Sequence, residues 1–280
     1  MASALICSER GEPWIALKTL KCQPFYWYSP QTHFETIHMT LSSSQKDVAS
    51  RFLREQEMPE LYRSYTWGGD TWERGFPDLF SLERDISRAA REYSLNQAHL
   101  LRIARWGRLR NQNGISCPNP IRITLYVDGM PAYWLKREPE NAICILGCQV
   151  RGFGPTYCSK ILHFAVPQIF GALDTRLVRT FGKTDDLNSH HYQLLDLHAC
   201  RSNDRWTIDP RQEGWPREYG TWVEILNHIA QTLNREGTQC PHPSQYMQSG
   251  LREEGVWLPA DVETALFSYA SQQIEEVKKK

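Results

Sequence analysis

Between Gly147 and Gly182 the chain reads GCQVRGFGPTYCSKILHFAVPQIFGALDTRLVRTFG, and two residues in that run have side chains suited to bond cleavage, Asp174 and Lys160. Asp174 stands just past an apolar stretch, at the start of a short helical pattern, where the helix dipole favours a charged carboxylate. A carboxylate kept ionised beside a sugar ring can stabilise an oxocarbenium-like transition state or orient a water, as carboxylates do in glycoside hydrolysis. Lys160 has three readings: a phosphate contact, a partner for Asp174, or a nucleophile. Upstream, Gly152 and Gly154 bracket Phe153 in a tight turn between two apolar helices, where glycine permits positive φ and close approach of another backbone. Pro155 suits the first turn of the following helix. The first N–H groups of that helix have no partners within it and are placed to meet a phosphate. Gly152, Phe153, Gly154 and Thr156 thus read as a backbone clamp that positions DNA without reading bases. Arg176 and Arg179 follow Asp174 on its own helix and are candidates for phosphate contact. Arg102, Arg105, Arg108 and Arg110, around Trp106, form a candidate basic edge, and Asn111, Gln112 and Asn113 are candidate fillers for the gap left by an extruded base. The plain alternatives stay open at this level: a turn for the glycines, an N-cap for Asp174, a solvated helix end for the arginines and a polar loop for Asn111.

The elements that must hold these residues are mostly helical. SSSQKDVASRFLREQE begins with a serine cap near Ser44 and puts Val48, Phe52 and Leu53 on one face. Gly68, Gly69, Gly75 and Pro77 interrupt the helical pattern beyond it. From Asp78, the residues Leu82, Ile86, Ala89, Ala90 and Tyr93 fall on one stripe. Asn96 caps the next helix, which turns Leu100, Leu101, Ile103 and Ala104 inward. Ile121, Ile123, Leu125 and Val127 alternate ahead of the turn pair Asp128-Gly129, which predicts a small β-hairpin. A helix starting near Pro139 leads into the glycine turn. Later helices are expected around Ser189–Ala199, Tyr219–Asn234 and Pro259–Val277. The resulting expectation is a mainly α fold of two helical lobes with a small β-element, the hairpin and Asp174 lying at the cleft between the lobes. An aromatic-rich, irregular region would cover residues 1–77 and a helical domain residues 78–280, with the helix-hairpin-helix at 140–182.

Composition sets the outer limits. The chain has 280 residues, 41% of them apolar and 23% charged, which suits a globular protein with a sizeable core. Lys plus Arg equals Asp plus Glu at 32 each, so net charge neither favours nor excludes a nucleic-acid partner. Eight cysteines are scattered with no C-x-x-C pair, which argues against a zinc ribbon or an iron–sulfur loop. Cys240 and His242 flank Pro241, and His198 and Cys200 flank Ala199; with no second pair at ligand spacing, both read as unligated, and no metal is expected. The start has neither a basic n-region nor a long apolar run, and no 18-residue apolar stretch is present. A cytoplasmic monomer without membrane segments is the expectation.

The run from Gly147 to Gly182 resembles the helix-hairpin-helix DNA glycosylase superfamily. Gly152-Phe153-Gly154 matches that family's hairpin, and Asp174-Thr175 with Arg179 matches its aspartate segment. The wording GFGPTYCSKILHF…LDTRLVR is most similar to a bacterial branch with an oxoguanine-glycosylase-like fold, some members of which act in defence against phages. The resemblance covers 36 residues. It implies a DNA glycosylase that acts on double-stranded DNA. Such an enzyme would flip a modified base (an oxidised purine or a phage-type hypermodified cytosine), hydrolyse its N-glycosidic bond at Asp174 and leave an abasic site, with no cofactor. Relatives that also cut the strand carry a lysine where this chain has Thr156. Lys160 lies one helical turn further on, about 6 Å along the axis, so the expected chemistry is base release alone. The alternatives are a non-catalytic helix-hairpin-helix DNA-binding protein and a bifunctional lyase using Lys160.

Overall fold

Ser42 accepts a hydrogen bond from the N–H of Gln45, and the Gln45 side chain answers to the Ser42 N–H. This capping box starts α1 (Ser43–Glu55), two residues before the serine the sequence suggested. The computed structural model describes residues 41–183, 190–202 and 205–279. The aromatic run at residues 25–28 lies outside the described residues. Short α2 (Met58–Arg63) leads to a two-residue-per-strand hairpin, β1 (Thr66–Trp67) and β2 (Asp70–Thr71). Asp70 is buried and accepts from the N–H groups of Asp78 at 2.7 Å and Leu79 at 3.2 Å, so it caps α3 (Pro77–Arg91) from outside that helix. Asn96 caps α4 (Gln97–Trp106), as expected.

The predicted hairpin at Asp128-Gly129 is present but short: β3 (Tyr126–Val127) pairs with β4 (Met130–Pro131). Both turn residues have positive φ, 50° and 76°, as a type I′ turn requires. After α5 (Trp134–Arg137) come α6 (Pro139–Gln149), α7 (Pro155–Ala165) and α8 (Thr175–Phe181). A helix is expected around Ser189–Ala199. The described part of that stretch instead makes a single 3-10 turn at His190–Tyr192, then irregular chain, then the antiparallel pair β5 (Ala199–Ser202) and β6 (Arg205–Ile208). The reason is long-range: the N–H groups of Leu194 and Leu195 both bond the Phe181 carbonyl, and the Leu197 carbonyl accepts from the N–H of Lys183. Helices α9 (Arg217–Arg235), α10 (Ser244–Gln248) and α11 (Pro259–Lys279) complete the fold. The architecture is mainly α with three small antiparallel pairs among the described residues, as the sequence predicts.

Helix α7 occupies the centre. It packs against α3, α4 and α6 and is buried on nearly every side from Cys158 to Ala165. Helix α11 packs against α2, α8 and α9. Residues 43–63 therefore belong to the same compact unit as the later helices. Arg252 ties that unit together from inside, bonding Asp261 at the start of α11 and Glu83 on α3. Among the described residues no helix is long and apolar enough to cross a membrane.

Candidate active site

A central helix that is buried all round must find a partner for every polar side chain it carries. On α7 these are Ser159, Lys160 and His163. Ser159 Oγ accepts from the Leu173 N–H at 2.9 Å and donates to the Thr156 carbonyl at 2.9 Å, which pins the connection before Asp174 onto α7. The Trp222 indole adds a second tether by donating to the Ala172 carbonyl. Held in this way, Asp174 caps α8 through the Arg176 N–H at 3.0 Å and turns its other oxygen to Lys160, with Nζ and Oδ2 3.2 Å apart. The two candidate reactive residues, fourteen positions apart, are thus in contact.

Three aromatic faces surround the Lys160 ammonium: Tyr157 at 5.1 Å, Trp106 at 5.3 Å and Trp67 at 5.9 Å. Such faces favour a charged amine. Trp67 comes from the β1–β2 hairpin, where its indole donates to the Trp106 carbonyl and the Trp106 indole donates to Asp70. Burial works against ionisation of Asp174. The Lys160 charge and hydrogen bond, together with the Arg176 N–H, outweigh it and hold the carboxyl below its usual range.

This pair lies where a wide groove of about 810 Å³ meets a small, narrow cavity. Groove and cavity share Trp67, Lys160 and Asp174. Six arginines line the groove: Arg108, Arg110, Arg176, Arg179, Arg201 and Arg205, with Asp174 the one acidic side chain among the lining residues. In a chain of zero net charge that concentrates positive potential on one face. Arg176 reaches Ser271 at 2.9 Å and packs on Trp67 and Phe267, and Arg179 lies 4.0 Å over the Trp206 ring.

The structure gathers some of the sequence candidates and separates others. Gly154, Thr156, Lys160, Asp174, Arg108, Arg176 and Arg179 all line the groove. Phe153 does not; it is buried against Tyr157 with ring centroids 5.1 Å apart, and anchors the turn instead of meeting a ligand. Gly152 has φ +81°, and a Cβ there would lie 2.8 Å from the Gly114 carbonyl, so its missing side chain serves chain packing. Gly154 is different: a Cβ on it would meet nothing within 4 Å, which leaves its face open to the groove. Arg105 bonds the Leu101 carbonyl and lines a separate depression with Arg102 and Asp78. Asn111 sits in the exposed loop near Gly114, apart from the groove lining.

Arg110 of the candidate basic edge also lines the groove, and Trp67, Arg201, Arg205 and Trp206 belong to it but were missed by the sequence reading. Nothing local marks them, because most of them arrive on two hairpins. Glu263 was missed too, and for that residue a signal existed: it is an acid on a helix whose neighbours Val262, Leu266 and Ala270 are fully buried. Away from the groove, Cys240, His242 and Asp261 bring one ligand atom each within 4.8 Å of one another, so the sequence pair gains a third member. His242 Nε2 faces the Val256 carbonyl at 2.8 Å and therefore carries the ring proton, leaving Nδ1 to accept from Cys240 at 3.6 Å. Asp261 is already held by Arg252 at 2.9 Å and 3.0 Å. Hydrogen bonding among the protein's own groups accounts for the trio. Comparison with protein-family models, with curated proteins and with solved structures finds no match for this chain.

Proposed function

We propose that this protein is a DNA glycosylase that hydrolyses the bond between a flipped, modified base and its sugar. The observation that carries the reading is the Asp174–Lys160 pair at the floor of an arginine-lined groove. The groove arginines neutralise phosphates and hold the strand. Gly154 leaves room for the backbone at the start of α7. Asp174, ionised and unable to leave its cap position, stabilises the cationic sugar as the base departs and orients the water that replaces it. The resemblance of Gly147 to Gly182 to the helix-hairpin-helix glycosylases supports the same reading.

The reaction we propose is base release without strand scission. A lysine must be uncharged to attack the sugar, and Lys160 faces a carboxylate and three aromatic rings, all of which favour its charged form. Its role is to hold Asp174. A second reading also has an observation behind it. Asp174 accepts from the Arg176 N–H and so already acts as a helix cap, which is all that a non-catalytic DNA-binding protein would ask of it.

One experiment separates these readings. Duplexes bearing oxidised purines or glucosylated hydroxymethylcytosine are incubated with the protein, and released bases are identified by mass spectrometry. We expect abasic sites that break only on heating, no covalent adduct with borohydride, and loss of base release in Asp174→Asn with DNA affinity kept within a few-fold. Binding without release from any duplex establishes the non-catalytic reading. A borohydride adduct that disappears in Lys160→Gln establishes the lyase.

A further inference from the structure

Beside Asp174, the small cavity of about 20 Å³ has room for a single water. Its titratable walls are Lys160 and His163 from α7, Asp174, Tyr65 and Glu263 from α11. Two carboxyl groups therefore face one ammonium. That ammonium is committed to Asp174 at 3.2 Å. A second buried carboxylate would stand uncompensated, a cost removed when it keeps its proton.

Local geometry selects Glu263 as the carboxyl that stays protonated. Its Oε2 lies 3.2 Å from His163 Nδ1, a buried nitrogen with no hydrogen-bond partner of its own. The Ala172 N–H donates to the same carboxyl. Burial, with the Asp174 charge adding to it and Lys160 opposing it, pushes Glu263 up to about 8. Burial, with Arg252 and Lys160 adding to it, holds His163 neutral at about 3. Glu263 cannot easily turn away: a Cβ on Gly171 would come within 2.6 Å of the Glu263 Cβ, so the stem is packed tightly there.

We infer that Glu263 is the proton donor of this site, delivering its carboxyl proton through the cavity water to the base as that base leaves. The inference rests on the glycosylase reading above. In the first step the bond between sugar carbon and base nitrogen breaks, and its electron pair goes to the nitrogen. The nitrogen takes a proton from the cavity water, which takes the Glu263 proton in exchange. In the second step a water oxygen bonds the cationic sugar carbon. The proton that this water releases passes by Asp174 and the cavity water back to the Glu263 carboxylate. The sum is hydrolysis, with every side chain returned to its starting state. Asp174 carries the charge and Glu263 the proton, a division set by which of them Lys160 touches.

The test is single-turnover base release by the wild type and by Glu263→Gln, from about pH 6 to about pH 9. The glutamine amide keeps the size of the side chain but has no acid proton to give. We expect the variant to be slower by about 100-fold, the lower end for a lost general acid, with DNA affinity unchanged. The wild-type rate should fall about tenfold per pH unit above pH 8, while the slow variant stays flat. A variant within a few-fold of wild type, or one that keeps the alkaline fall, overturns the inference and leaves the glycosylase reading standing. A wild type that releases no base from any duplex removes the glycosylase reading and this inference together. Carbon-13 titration of the Glu263 carboxyl in the wild type gives a check that needs no variant: proton loss near pH 8 supports the inference, and loss below about pH 6 overturns it.

Discussion

Replacing Lys160 by methionine keeps most of the stem inside its ring of Tyr157, Trp106 and Trp67 but deletes the ammonium from a pair whose side chains are 8% and 15% exposed. Asp174 then remains charged and half-buried, supported by the Arg176 N–H and the Thr175 hydroxyl. Removing one partner of a fully buried pair costs about 3–5 kcal/mol. With two donors left and some water access, the expected cost of Lys160→Met is about 2–3 kcal/mol. Asp174→Asn should cost less, about 1–2 kcal/mol, because Glu263 shares the cavity and can give up its proton to partner the stranded ammonium. The double variant leaves no charge unpaired. It should be less destabilised than Lys160→Met alone, which makes the coupling larger than the Asp174→Asn cost, at least about 1–2 kcal/mol. Urea unfolding of the four proteins at neutral pH measures this cycle. Additivity within about 0.5 kcal/mol would refute the claim that the two charges hold one another. The pH dependence supplies an independent sign. The folded-state pKa of Asp174 is depressed, so its contribution is present above the unfolded value of about 3.9 and is lost as pH falls through the folded value. Without Lys160 the folded value rises, so the stability deficit of Lys160→Met relative to the wild type should shrink as pH falls below about 4.

The two hairpin glycines should behave oppositely. Gly152→Ala meets the Gly114 carbonyl at positive φ and should destabilise by about 1–3 kcal/mol, measured by thermal melting, whereas Gly154→Val should fold normally and lose DNA affinity on every sequence. Arg201→Gln and Arg205→Gln should each reduce the slope of log affinity against log salt by about 0.9, while Arg105→Gln, which lies outside the groove, should leave it unchanged. Glu263 favours its acid form in the folded chain, so its stabilising effect is complete below the unfolded value of about 4.3 and fades as pH rises through about 8. Glu263→Gln should therefore gain stability on the wild type between pH 5 and pH 8, and a Tm difference that does not change over that range would refute the assignment.

Local chemistry carries most of the helical layout. Asn96, Pro139, Pro155 and Asp174 mark helix starts by capping or by fixed φ, and each acts on residues within one turn. The apolar stripe of α3 likewise puts Leu82, Ile86, Ala89 and Ala90 on the face that ends up buried, whereas Tyr93, expected on the same stripe, falls beyond the helix and is exposed. The same local logic gives a helix around Ser189–Ala199. That segment fails because its backbone groups are taken by Phe181 and Lys183, partners at the C-terminal end of α8 that no short window contains. The candidate site divides along the same line. Asp174, Lys160 and the glycine turn sit within one stretch of chain, so their spacing makes them legible. Trp67, Arg201, Arg205 and Trp206 reach the groove only because the β1–β2 and β5–β6 hairpins fold onto it. Glu263 reads in sequence as one acid on an amphipathic helix. Packing α11 over the connection before α8 brings its carboxyl to the cavity that Lys160 and Asp174 already share. Which carboxyl holds the charge and which the proton depends on the contact of Lys160 with one and not the other, a distance set by helix packing and not by residue type.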